Sequence, residues 1–151
     1  MPGLLTAALI VRDEGAVLAE CLRSIRDVVD EIVVVDTGSV DDSIAIAAGF
    51  GARIYRRTWT DHFAEARNAA LERATGEWIL YIDADERLRP VDRDVLAQRF
   101  RDAPEIAFTV VIHPFVHSTP FYECRLWRND PRIRFRGVIH EKHRAAIAEV
   151  G

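Results

Sequence analysis

Asp83 and Asp85 stand two residues apart at the exit of an unbroken apolar run, Trp78 to Ile82. Two carboxylates leaving a core strand are costly unless something pairs with them. A hard divalent cation takes oxygen ligands, so a metal carrying phosphates would pair both. The bland alternative for Asp-x-Asp is a helix cap or an Asp turn after the strand. Two more polar clusters end apolar runs in the same way. Arg12-Asp13-Glu14-Gly15 follows Leu4 to Val11, and Asp36-Thr37-Gly38-Ser39 closes the run that begins at Glu31.

Apolar runs of this kind, rich in branched and aromatic residues, predict strands buried on both faces. Strands are expected over Leu4 to Val11, Glu31 to Asp36, Ala52 to Tyr55 and Trp78 to Ile82. Between them lie helical patterns. Val17, Leu18, Cys21, Leu22 and Ile25 recur at helical spacing. Ser39 and Asp42 form a capping-box-like start for a helix to about Gly49, and a third helix runs from about Phe63 to Ala74, closed by Gly76. Strands separated by helices predict a parallel sheet with helices on its faces. In such a sheet ligands sit beyond the carboxyl ends of the strands, so all three polar clusters emerge on one edge. The second half differs. A helix is expected near Val91 to Phe100 after Pro90, then strands over Ile106 to Ile112, Phe121 to Trp127 and Arg134 to Ile139 with no helix between them. The fold class is therefore α/β, a mostly parallel sheet flanked by helices with antiparallel strands added in the second half.

The 151 residues predict one domain over 1–151. A net charge of -4 without a Lys/Arg-rich run argues against nucleic acid. Cys21 and Cys124 form neither a metal spacing nor a disulfide framework, which suits a reducing compartment. No apolar run reaches the length of a transmembrane span, and Met1 to Val11 lacks the basic start and cleavage site of a signal peptide. These features predict a cytoplasmic protein, with the inner face of the membrane as the alternative placement.

The ordered set of motifs resembles the family 2 glycosyltransferases with the GT-A fold. It comprises Ile10-Val11-Arg12-Asp13-Glu14, Val35 to Asp42, Ala66-Arg67-Asn68, Ala74 to Trp78 and Asp83-Ala84-Asp85-Glu86. Phe135 to Glu141 (Phe-Arg-Gly-Val-Ile-His-Glu) is similar to the ending of a bacterial branch. The resemblance implies sugar transfer from a nucleotide-sugar donor, a UDP-sugar first, with Mn2+ or Mg2+ as cofactor and inversion at the sugar. It implies an acceptor among glycans, lipid-linked sugars and peptides. Arg12, Glu14, Asp36, Arg67, Asn68 and Asp83 are the implied donor-nucleotide residues, with Asp36 at the base. Relatives often carry a second aspartate where this chain has Thr37, and Asn where it has Asp13. Asp83 and Asp85 resemble the metal-binding carboxylates, Asp85 as the direct ligand, and His140 is a third candidate metal ligand.

A departing nucleoside diphosphate gains negative charge, which a metal at Asp85 would neutralise. The acceptor hydroxyl needs a base. Glu123, Asp130 and Glu141 are candidates, and Glu141, in the His-Glu pair, is the preferred one. Trp59, Phe63, Phe115, Phe121, Tyr122 and Trp127 could stack on a sugar, although core packing explains most of them. The loop Thr58 to His62 is expected to cover the pocket. Two other readings remain. A nucleotidyltransferase is disfavoured, because Arg12-Asp13-Glu14 places two acids where a triphosphate loop needs bases or glycines. A truncated or non-catalytic nucleotide-sugar-binding module is the other, because the chain is short for a complete transferase of this type and ends soon after Glu141.

Overall fold

The computed structural model describes residues 3–115, 117–137 and 143–151. Six strands form one sheet in the order β3-β2-β1-β4-β6-β5. β1 (Leu5–Val11), β2 (Glu31–Asp36), β3 (Arg53–Arg56) and β4 (Trp78–Tyr81) are parallel. β5 (Ala107–Ile112) and β6 (Phe121–Arg128) form an antiparallel pair, and β6 joins the sheet antiparallel to β4. The helices are α1 (Leu18–Ile25), α2 (Ser43–Gly49), α3 (Phe63–Arg73), α4 (Arg93–Asp102) and α5 (Arg144–Val150).

The period of two along each strand explains why the apolar runs are unbroken. Leu5, Ala7, Leu9 and Val11 of β1 enter a core with α1 and Phe100 of α4, whereas Ala8 enters a second core with Ala64, Ala70 and Leu71 of α3. Helices cover both faces, so neither face of β1, β2 or β4 can be polar. Trp78 of β4 is fully buried and stacks on Phe100 at 4.7 Å, which closes the first core.

Four local expectations are corrected. α2 starts at Ser43, and Asp42 makes no side-chain capping bond. Ser39 instead accepts a hydrogen bond from the Asp13 amide, and Asp41 accepts from both the amide and the hydroxyl of Ser43. α3 ends at Arg73, and Gly76 is needed for a close approach rather than a helix end: a Cβ there would lie 2.7 Å from Thr6 Oγ1. α4 begins two residues later than expected, because Asp92 accepts from the amides of Asp94 and Val95. No regular strand forms over the described residues 134–137. The backbone N–H and C=O of Phe135 are both taken by the Asn68 side chain, at 2.8 and 3.0 Å, and so serve no ladder. The rest of that expected strand lies outside the described residues. α5 was not expected; its Ala146 is buried, and Ile147 and Val150 pack on the second core.

Candidate active site

The parallel register sets the site. Val11 pairs with Asp36 and Ala8 with Tyr81, so the segments after β1, β2 and β4 leave the sheet on one edge. They open onto a cleft of about 450 Å³ lined by Arg12, Glu14, Thr37, Trp59, Phe63, Arg67, Asp83 and Asp85. A smaller hollow of about 210 Å³ lies at the opposite edge, among Arg26, Asp30, Glu31 and Arg53. Its acids are spent on structure: Asp30 accepts from the amides of Leu4 and Leu5, and Glu31 binds Thr6, Thr75 and Arg53.

The first two edge loops are tied to each other. Asp13 adopts a left-handed φ of 51°, which suits Asp and Asn better than most residues. Its Oδ1 accepts from the amides of Val40 (2.7 Å) and Asp41 (3.2 Å). The Glu14 amide donates to Ser43 Oγ and the Gly15 amide to Asp41 Oδ2. Asp36 is 3% exposed. Its Oδ2 accepts from the amides of Gly38 and Ser39, whereas its Oδ1 has no partner among the described residues. A buried carboxylate oxygen without a donor is costly, so this one calls for a donor beyond the described residues.

The third loop carries the acids. Tyr81 donates its hydroxyl to Asp83 Oδ1 at 2.8 Å, and Arg67 Nη1 lies 3.4 Å from the same oxygen. Arg125 Nη2 stands 3.8 Å from Asp83 Oδ2. Burial pushes the Asp83 carboxyl up, but Arg67, the Tyr81 hydroxyl and Arg125 outweigh it and hold the group below the usual carboxylate range. Burial raises the Glu86 carboxyl despite Arg125. Burial also raises Glu14, and the neighbouring Asp85 and Asp83 push it the same way. Asp85 is exposed at the rim, and oxygens of Asp83, Asp85 and Glu86 lie within 4.8 Å of one another. These oxygens are of the kind that could hold a hard divalent cation, and Glu14 stands beside them. Beneath it, burial and then Glu86 push the Cys21 thiol up to about 12, so it stays protonated and donates to the Asp83 carbonyl at 3.4 Å.

The structure brings Arg12, Glu14, Arg67, Asp83 and Asp85 to one cleft, with Asp36 buried next to its lining residue Thr37. Asn68 faces the Phe135 backbone instead. Glu123 lies toward the acid edge, where its Oε2 accepts from Arg125 Nε at 2.5 Å. Asp130 follows β6 at the other end of β4, where Arg128 pairs with Trp78, and Arg132 holds its carboxyl down to about 2. His140 and Glu141 lie outside the described residues. Sequence reasoning missed Tyr81 and Arg125. Arg125 is 9% exposed and lies 4.6 Å from the Tyr81 ring centroid, as a cation–π partner. The signal was a charge inside the otherwise apolar Cys124 to Trp127.

The mainly parallel sheet with acid clusters beyond β1, β2 and β4 fits the GT-A class of nucleotide-diphospho-sugar transferase folds, which the likeness to solved structures shows. The chain belongs to glycosyl transferase family 2, whose profile matches residues 6–148. It is 43% identical over 135 residues to a TPR repeat-containing protein of Synechococcus elongatus, covering 88% of this chain and 34% of that protein. It is 31% identical over 144 residues to the SPbeta prophage-derived glycosyltransferase SunS of Bacillus subtilis, covering 91% and 34%. The chain thus spans about a third of the length of these relatives. Among solved structures, it resembles glucosyl-3-phosphoglycerate synthase from Mycobacterium tuberculosis in complex with Mn2+, UDP and glucosyl-3-phosphoglycerate. That match has a TM-score of 0.50 at 24% identity and covers 56% of this chain and 36% of that one. No helix among the described residues is long and apolar enough to cross a membrane.

Proposed function

We propose that this chain carries the donor site of a metal-dependent glycosyltransferase that moves a sugar from a UDP-sugar to an acceptor hydroxyl with inversion. The observation that carries the reading is the crowding of Glu14, Asp83 and Asp85 in one cleft beside Arg12 and Arg67. Acids alone repel a diphosphate; acids that share a cation with it attract one. The mycobacterial synthase, which holds Mn2+ and UDP, supports the same pairing by analogy of fold.

The roles follow from the chemistry. Asp85, with Asp83, would hold Mn2+ or Mg2+, which supplies positive charge for the departing diphosphate. His140 is proposed as a further ligand. Arg67 and Arg12 orient the phosphates, and Asp36 offers its Oδ1, which has no partner among the described residues, to an N–H of the base. Asn68 acts through Phe135, by fixing the second half against α3. The acceptor oxygen attacks the anomeric carbon, the bond from that carbon to the diphosphate breaks, and the hydroxyl proton passes to a carboxylate. Glu141 is the proposed base, and Glu123 is the alternative already on the described edge. One domain over 1–151 would suffice for donor binding, and the acceptor is a glycan, a lipid-linked sugar or a peptide.

UDP release from a panel of UDP-sugars tests the reading. It should require Mn2+ or Mg2+ and fall on the order of 10²–10⁴-fold in Glu141→Gln. A Glu141→Gln protein of normal activity beside an inactive Glu123→Gln moves the base to Glu123. No turnover of any donor in the presence of metal contradicts the catalytic reading.

A further inference from the structure

We infer that Trp59 is the wall on which the donor's base stacks, and hence a residue that sets donor affinity. The inference rests on the reading of the cleft as a nucleoside diphosphate site. Trp59 lies in the loop after β3, the outer strand on the β2 side, whereas Asp83 and Asp85 follow β4 on the other side of β1. Two strand spacings, about 10 Å, separate β2 from β4. The cleft therefore has two unlike ends: Asp83 and Asp85 after β4 with Arg67 of α3 reaching Asp83, and an aromatic wall with Thr37 toward β2 and β3. A ligand whose phosphates go to the acid end presents its planar base to the indole.

The indole is held in place before any ligand arrives. Its Nε1–H donates to Asp61 Oδ1 at 2.8 Å. Asp61 has a φ of 57°, a left-handed turn conformation that Asp adopts more readily than most residues. Phe63 meets Trp59 edge-on, with centroids 4.8 Å apart and planes at 75°. The loop is anchored to α3, since Thr60 Oγ1 donates to Glu65 Oε2 at 2.9 Å. A pre-set aromatic face loses little freedom on binding, and base–aromatic stacking tolerates any base. Its place in the cleft lining distinguishes Trp59 from the two other tryptophans. Trp78 and Trp127 are both 0% exposed.

That difference supplies the test. Tryptophan emission of the whole chain is followed while UDP, and separately pyrophosphate as a probe without a base, is titrated in with Mn2+. UDP should quench and pyrophosphate should not, because the buried Trp78 and Trp127 do not meet either ligand. Trp59→Ala should weaken UDP by about ten- to a hundredfold by calorimetry, with pyrophosphate affinity unchanged. Asp61→Gly, which frees the indole and still suits the left-handed φ at this position, should weaken UDP several-fold and so gives the answer even if Trp59→Ala fails to fold. UDP affinity equal to wild type in Trp59→Ala, or a UDP complex of the native chain without quenching, overturns the role of Trp59 alone. Failure of the native chain to bind UDP at all overturns the reading of the cleft together with this inference.

Discussion

Arg125 Nη1 lies 2.7 Å from Glu86 Oε1, an ion pair that fastens β6 to the turn carrying Asp83 and Asp85. The same Oε1 accepts the Asp83 amide at 2.8 Å. Glu86 is thus engaged by the protein itself, which leaves Asp85 as the acid presented at the rim.

Arg125→Met should therefore destabilise the chain by about 1–3 kcal/mol. The full cost of breaking a buried pair is higher, but the Glu123 side chain keeps 42% exposure and can be solvated. Urea unfolding measures it. An unchanged midpoint would mean that the three carboxylates do not depend on this guanidinium.

The parallel half was legible because burial on both faces writes itself as apolar runs, as in Leu5 to Val11 and Trp78 to Tyr81. The edge clusters were legible for the complementary reason: polar residues ending such runs need partners. Arg125 was not, because its three acidic partners are spread from Asp83 to Glu123 and only the sheet brings them together. Asn68 read as a nucleotide residue beside Arg67, yet its bonds go to a residue 67 positions away. α5 is a seven-residue segment with one fully buried side chain, too short for its periodicity to stand out.

Asn68→Ala removes both bonds to the Phe135 backbone. The expected loss is about 1–2 kcal/mol, with two buried backbone groups left unpaired. Hydrogen exchange should speed up at residues 133–137 and in α5, while β1 and β2 stay protected. Uniform loss of protection would show that Asn68 supports the whole fold rather than this junction.

His143 makes stability depend on pH. Burial holds its imidazole below the usual value. Nε2 lies 2.8 Å from the Cys124 carbonyl, which raises it, and Arg125 and Arg144 lower it again. The unfolded chain takes up this proton near pH 6.5 and the folded chain only at lower pH. The contribution is thus complete above about 6.5 and is lost as pH falls toward the folded value. Unfolding free energy should drop between pH 7.5 and 5.5 with a slope of at most about 1.4 kcal/mol per pH unit for one proton. His143→Phe should flatten that slope. The same slope in the variant would assign it to other groups.

Asp85→Ala should leave the fold intact, within about 0.5 kcal/mol by thermal unfolding, because the side chain is exposed at the rim. The stabilisation that Mn2+ and UDP together give the native chain should disappear. An unfolded variant would make Asp85 a structural turn residue.

The most direct measurement is calorimetric titration of UDP into the native chain, once with Mn2+ and once with EDTA. The clustered Glu14, Asp83 and Asp85 predict binding at least about tenfold tighter with the metal, since the acids repel a bare diphosphate. Equal affinity under the two conditions would contradict a metal site at Asp83 and Asp85.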